Sequence, residues 1–302
     1  GLTARVLEGI PPDDEFTRVL PGVTERSRAS MARTLIGNLN AHGSVVVEQS
    51  APGRRAVVRK QGAALGSGVD YIEFALGRDG CVVDWSSLML GSSASQMVRQ
   101  NLLLSRDDAG LLATVFGVKR FDEAQAARLR ALADAMRTSD RAAALAARDG
   151  MKTLARQSFE LSMLRVGLLA ADHEAPAYRE ALVAIAERFG DDERAQFMLV
   201  DHYFYRGEYA AGLHSVERLQ QRVGDDEENE LLRASMLKMM GRTEDALQAM
   251  RRMIELAPGR AATHGVLVAH LAELGRSADA VAAMRAARAH GVTFDEDVMR
   301  AE

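Results

Sequence analysis

The spacing of apolar residues changes once along the chain and divides it into two parts. Up to about residue 95, short segments alternate apolar and polar positions with the period of a β-strand, at 44–49, 55–60, 69–76 and 81–85. A helix is predicted before them, from Thr24 to Gly43. Beyond Ser95 the apolar residues follow helical spacing, first at 96–104, 122–137 and 141–147. The pattern predicts an α+β amino-terminal domain, a helix on an antiparallel sheet, followed by an all-α part.

A 34-residue repeat is the strongest pattern in the helical part. Gly207, Gly241 and Gly275 follow one another at 34-residue spacing. Small residues stand five positions after them (Gly212, Ala246, Ala280) and short ones seven positions before (Val200, Ala234, Val268). The spacing predicts pairs of antiparallel helices with a left-handed glycine at the turn and small residues where the helices cross. The four repeats are 159–192, with His173 in place of the turn glycine, 193–226, 227–260 and 261–294.

This repeat resembles the tetratricopeptide repeat over about 135 of the 302 residues. The third repeat carries the resemblance in Leu232, Ala234, Leu237, Gly241, Ala246 and Pro258, the last of which is expected to end its second helix. The resemblance implies a stacked superhelix whose concave face is lined by the first helix of each repeat and binds a protein or peptide. The alternative is an unspecialised Ala-rich helical bundle.

The amino-terminal part resembles cystatin-like and nuclear-transport-factor-like cone folds. The resemblance lies in Tyr71-Ile72-Glu73-Phe74 and in Gly80-Cys81-Val82-Val83-Asp84-Trp85, followed by Gly91 and Ser95. It implies a curved sheet and a bacterial group that joins this domain to tetratricopeptide repeats, a group to which no activity is assigned. The expected domains are 1–105, a helical connector at 106–158, and the repeats at 159–302.

Composition narrows the class of protein. The net charge of −4 argues against nucleic-acid binding, and no apolar run exceeds six residues, so no membrane span is expected. One cysteine excludes an intramolecular disulfide. The excess of Arg (34) over Lys (4) is typical of a GC-rich bacterial genome. The start at Gly1 fits either an exported protein without its signal peptide or a trimmed cytoplasmic chain, and the oligomeric state stays open.

Residues with chemistry are scattered, so no catalytic residue, cofactor or metal site is predicted. The 7 His show no ligand spacing and are expected singly, at the surface or half-buried. Cys81 is expected inside the sheet, 62–68 as a glycine-rich hairpin loop, and 225–228 as a solvated acidic helix cap. Asp84, beside Trp85 and with Glu73 and Asp70, could act as a base in a cone pocket, although a core Trp with a capping carboxylate is favoured.

The candidate partner groove lies on the first helices of two repeats. Its residues are Phe197, Asp201, Phe204 and Tyr205 in the second repeat and Leu231, Ser235, Lys238 and Met239 in the third. For Phe197, packing between repeats is an equal alternative. Chaperone-binding members of the repeat family hold a carboxylate with Lys and Asn where this chain has Phe197 and Asp201, so an acidic carboxy-terminal peptide is not expected. The predicted function is a non-enzymatic protein- or peptide-binding scaffold; the alternative is a small-ligand binder or enzyme using the amino-terminal domain.

Overall fold

The computed structural model describes residues 44–50, 55–61, 69–79, 81–88, 91–104, 122–170, 172 and 174–294, with Val6 and Arg33 as single residues. The chain divides into two compact units, an N-terminal unit of residues 1–199 and a C-terminal unit of residues 200–302. Within the described part, no helix is both long and apolar enough to cross a membrane. The predicted helix at 24–43, His42, the loop at 62–68 and His173 lie outside the described residues.

Five antiparallel strands form a meander in which each strand pairs with the next along the chain. The strands are β1 (Ser44–Ser50), β2 (Arg55–Gln61), β3 (Val69–Leu76), β4 (Val82–Ser87) and the short β5 (Ser92–Ser93). Arg59 of β2 lies opposite Tyr71 of β3, and both side chains are fully buried. Ile72, on the other face of β3, lies opposite Ser87 and is buried too. The predicted antiparallel sheet is therefore confirmed, and it is covered on both faces.

Helix α1 (Ala94–Leu104) begins directly after β5 and is held by two sets of hydrogen bonds. Ser93 and Gln96 form a reciprocal capping box, in which the Gln96 amide donates to Ser93 Oγ (3.2 Å) and the Ser93 amide donates to Gln96 Oε1 (2.8 Å). The buried Asp84 carboxylate accepts from the Ser95 amide (3.1 Å) and from Ser95 Oγ (2.6 Å). Asp84 thereby fixes the start of α1 against β4.

Four of the helices in the N-terminal unit share an apolar core, and a fifth follows them. They are α2 (Glu123–Arg137), α3 (Arg141–Asp149), α4 (Lys152–Ala155), α5 (Phe159–Leu169) and α6 (Pro176–Phe189). Asp122 caps α2 and Asp140 caps α3, as acceptors for the first free backbone amides. The core is built from the inward faces of α2 to α5: Ala126, Leu129, Leu132, Ala135, Ala144, Met151, Leu154, Ala155 and Leu161. The predicted borders at 105 and 158 remain predictions.

The turn between β4 and β5 packs directly on α5. Gly91 has a φ of +63°, and a Cβ built there would lie 2.6 Å from Phe159 Cε1 and 3.1 Å from Met163 Cγ. The Phe159 ring also meets the Phe189 ring edge-on at 5.3 Å, and the Arg194 guanidinium lies 4.0 Å from its centroid. Glycine is needed at position 91, because a side chain there would occupy the place of the Phe159 ring.

The helices that follow repeat with the predicted period. They are α7 (Gln196–Arg206), α8 (Tyr209–Val223), α9 (Glu227–Met239), α10 (Thr243–Leu256), α11 (Ala261–Glu273) and α12 (Ser277–Ala289). The division between the two compact units falls within α7, after Leu199. Gly207, Gly241 and Gly275 have φ values of +71°, +70° and +69°. At Gly241 the Arg242 amide donates to the Leu237 carbonyl (2.9 Å), the hydrogen bond that closes a helix end at such a glycine. These helix pairs confirm the predicted 34-residue helical repeat.

The small residues lie at close helix contacts, as predicted. Ala246 is fully buried and Ala280 is 7% exposed. At Gly212, an added Cβ would lie 2.8 Å from Met236 Sδ and 3.4 Å from Tyr203 Cβ. Larger side chains at these positions would separate the helices.

Ion pairs connect the third and fourth repeats at two places, Lys238 with Glu273 (2.5 Å) and Arg276 with Glu244 (2.8 Å). A third set lies within the third repeat and joins its last residue, Arg260, to Glu227 (3.0 Å) and Glu228 (2.6 Å) at its start. Because Arg260 covers Glu227 and Glu228, the acidic run at 225–228 is only partly solvated, and Glu227 is only 7% exposed. The predicted cap is confirmed in Asp226, whose Oδ1 accepts from the Glu228 amide (2.6 Å), but Asp226 is buried rather than solvated.

Candidate functional site

The candidate residues on α7 form an exposed aromatic group at the end of the helix. Phe204 is 41% exposed, and its ring meets the rings of Tyr205 (6.3 Å) and Tyr209 (6.0 Å) edge-on. Tyr205 and Asp201 are half-buried. The short turn at Gly207 brings Tyr209 of α8 back against Phe204, so Phe204 contacts a tyrosine ring from each of two helices and still remains exposed.

The candidate residues on α9 stand at repeat positions equivalent to those on α7. Lys238 and Met239 stand 34 residues after Phe204 and Tyr205, and Met239 is 48% exposed. Leu231 and Ser235 are half-buried. Ser235 Oγ donates to the Leu231 carbonyl (2.8 Å), which satisfies the hydroxyl within the helix. We call the candidate residues of the C-terminal unit the α7–α9 wall: Asp201, Phe204, Tyr205, Leu231, Ser235, Lys238 and Met239.

The charge of Lys238 is balanced within the C-terminal unit. Its Nζ donates to Glu273 Oε2, which lies 3.1 Å from His270 Nδ1 as well. The Lys238 ammonium, and after it the His270 imidazole, hold the pKa of the Glu273 carboxyl below its ordinary value. At this position Lys238 therefore presents an ion pair rather than a lone cation.

Phe197 lies in the N-terminal unit and is half-buried there. Its ring contacts the ring of Tyr71 on β3, with centroids 5.9 Å apart and an angle of 84° between the planes. This edge-to-face geometry is a favourable aromatic contact. The sheet, rather than a neighbouring repeat alone, thus supplies a packing partner for Phe197, which the sequence analysis missed.

The carboxylates of the sheet serve structural contacts. Asp84 binds the start of α1, and its Oδ1 also accepts from the Trp85 amide (2.9 Å). Asp70 accepts from Ser87 Oγ (2.7 Å), and Glu73 pairs with Arg55 (3.0 Å). These contacts agree with the favoured interpretation of Asp84 as a capping carboxylate, and the Ser93-Ala94-Ser95-Gln96 sequence could have shown where the capped helix begins.

The expectation that Cys81 is buried in the sheet is wrong. Cys81 is exposed, because it precedes β4 at the tight turn of the hairpin, where its amide donates to Asp79 Oδ1 (3.1 Å). Burial at that end of the hairpin would require a covering element that the described residues do not place there.

Three of the histidines expected to be surface-exposed or half-buried are buried. They are His202, His264 and His270, whereas His214 and His290 are exposed. Ring hydrogen bonds allow this burial at two of them, since a His264 ring nitrogen lies 2.7 Å from the Pro258 carbonyl oxygen and His270 meets Glu273. Among the described residues, no group of three or more His, Cys, Asp or Glu side chains could hold a metal ion.

Glu230 is a buried acid that the sequence did not reveal. It is 3% exposed, accepts from Gln220 Nε2 (3.3 Å) and lies 3.8 Å from Arg233 Nη1. Burial raises the pKa of its carboxyl, and the nearby Arg233 opposes this shift only in part. Glu230 lies in the first turn of α9, which Asp226 caps, and its side chain is packed inside the protein rather than exposed to solvent.

Comparisons with known proteins were made for sequence and for fold. No model of a known protein family matches the sequence. No curated protein matches it either. Similar solved structures include MamA from Desulfovibrio magneticus RS-1, a tetratricopeptide-like repeat protein. The two chains are 13% identical with a TM-score of 0.45, and the match covers 56% of this chain and 96% of that one. A second MamA crystal structure has 15% identity and a TM-score of 0.45, covering 56% and 92%. At these identities, no residue of MamA assigns a role to a residue of this chain.

Proposed function

We propose that this chain is a non-enzymatic module that binds a protein or peptide on the α7–α9 wall. The observation that carries the proposal is the exposure of Phe204 (41%) and Met239 (48%) near the ends of successive first helices. Large apolar side chains held rigidly at the surface are typical of interaction sites, and aromatic ones supply contact area at little cost in side-chain entropy. By the resemblance to tetratricopeptide repeats, this wall belongs to the concave face.

The partner that suits this wall is an extended or helical peptide with apolar anchors and a basic residue. Apolar anchors would cover Phe204 and Met239. The basic residue would lie near Asp201, one helical turn before Phe204. Lys238 is already paired with Glu273, which disfavours a carboxylate as the main anchor.

The test is the double substitution Phe204→Ala/Tyr205→Ala in the full chain, measured by calorimetry against a partner captured by crosslinking in the native organism. Binding should weaken by about 2 kcal/mol or more, with an unchanged fold by circular dichroism. Val281→Ala is the matched control, because Val281 on α12 is 44% exposed and is not a wall residue. Unchanged affinity in the double variant would reject this wall as the site.

A further inference from the structure

Two equivalent first-helix positions in the N-terminal unit are covered by the chain's own sheet. Met163 of α5 and Phe197 of α7 stand 34 residues apart, at the position that the repeat pattern assigns to the partner groove. Tyr71 of β3 lies edge-on against the Phe197 ring, and the backbone of Gly91 lies against Met163. Met163 is 1% exposed. These two positions are therefore occupied before any partner arrives.

Residues of the sheet and of its last turn are held in positions that fit this contact. Tyr71 is fully buried and is fixed by its pairing with β2, opposite Arg59. Gly91 has the left-handed backbone that brings its Cα close to Phe159 and Met163. Arg194 covers the Phe159 ring and pairs with Asp192 (2.7 Å) and Glu160 (3.2 Å), so the helical side of the contact is held as well. An aromatic contact, a close backbone approach and an anchored ring together form a specific interface.

We propose that the sheet is an autoinhibitory occupant of the first-helix surface at Met163 and Phe197. Tyr71 takes the place on Phe197 that an anchor side chain of a partner would take, so partner binding is confined to the α7–α9 wall while the sheet stays docked. Displacement of the sheet exposes Phe197 and Met163 as further first-helix positions for a partner. This inference rests on the proposed function, because it concerns competition for the same kind of surface.

Thiol labelling of the full chain tests the occupancy without a partner. Cys81 is the one cysteine of the chain and is exposed, so Cys81→Ser removes the background. In that background, Phe197→Cys should react with a maleimide severalfold more slowly than Phe204→Cys, the exposed reference, because position 197 is half-buried against the Tyr71 ring. Adding Tyr71→Ala should remove most of this protection. Equal rates for the two cysteines with Tyr71 in place would overturn the inference.

A second variant keeps the test valid if Tyr71→Ala unfolds the sheet. The one Trp of the chain, Trp85, lies in β4 and reports whether the sheet remains folded. If Tyr71→Ala changes its emission to that of the unfolded chain, Gly91→Ala takes its place, since the added methyl group pushes the turn between β4 and β5 away from Phe159. Protection of position 197 that persists in a folded, undocked variant would also overturn the inference.

Partner affinity then shows whether the sheet competes with the partner or only contacts the helices. With the captured partner, a folded Tyr71→Ala chain should bind more tightly than the parent, by about threefold or more, and Phe204→Ala/Tyr205→Ala should weaken binding in both backgrounds. An unchanged affinity after position 197 has become accessible overturns the autoinhibition. Loss of the Phe204/Tyr205 effect overturns the proposed function instead, while the labelling result for Phe197 stands.

Discussion

Replacing Gly91 by Ala should destabilise the N-terminal unit by about 2–4 kcal/mol. The φ of +63° disfavours any residue with a Cβ, at a cost of about 1 kcal/mol. The new methyl group would lie 2.6 Å from Phe159 Cε1, where Arg194 and Phe189 leave the ring little room to move. Overpacking of this kind costs about 1–3 kcal/mol more.

Two glycines serve as controls for the same chemical change. Gly241 has a φ of +70°, and a Cβ there would meet nothing within 4 Å, so Gly241→Ala measures backbone strain alone, about 1 kcal/mol. Gly167 lies inside α5, in the same unit as Gly91, with nothing within 4 Å. Gly167→Ala should stabilise the chain by up to about 1 kcal/mol, because alanine favours helix.

The assay is urea unfolding followed by Trp85 fluorescence for the N-terminal unit and by far-ultraviolet circular dichroism for the whole chain. Gly91→Ala should lower the midpoint of the fluorescence transition most strongly. If Gly91→Ala cost no more than Gly241→Ala, the contact between the Gly91 turn and α5 would contribute no stability, and the reasoning on the sheet interface would be refuted.

Three further changes test the core, the sheet carboxylate and the buried acid. Ala246→Leu should cost about 1–3 kcal/mol by overpacking, and an unchanged melting temperature would contradict the close crossing. Asp84→Ala should cost about 2–3 kcal/mol in the Trp85 transition, because it removes a helix cap and leaves buried donors unpaired; a stable variant would reopen a catalytic role. Burial raises the folded-state pKa of Glu230, so stability is lost as the pH rises through that pKa. The free energy of unfolding of Glu230→Gln, relative to that of the parent, should be higher at about pH 7 than at about pH 4 in urea unfolding. A pH-independent difference would reject the assignment.

The features that the sequence predicts well are those fixed by local chemistry. The turn at Gly241 needs a residue that tolerates positive φ, and its 34-residue spacing from Gly207 and Gly275 makes the repeat visible. Strand β3 was predicted with its observed bounds, since apolar and polar residues alternate along it. The exposure of Phe204 agrees with its expected place on the surface, although its role stays a prediction.

Contacts between distant segments could not be predicted from pattern. Gly91 and Phe159 are 68 residues apart, and no periodicity connects a turn glycine with a helix-start aromatic residue. Phe197 was therefore placed in an open groove or between repeats, and its contact with Tyr71 was missed. Cys81 was misjudged for a similar reason, because its exposure depends on what covers the end of a hairpin rather than on its strand neighbours.

The ion pairs between the third and fourth repeats are expected to favour the correct order of stacking among similar helix hairpins during folding. Lys238 and Glu244 of the third repeat have Phe204 and Ala210 as their counterparts in the second. A fourth repeat that stacked on the second would lose both pairs, at about 0.2–1 kcal/mol each, although its apolar face would still be covered. Salt screens these pairs, so folding at high ionic strength is expected to yield more chains with hairpins stacked out of order.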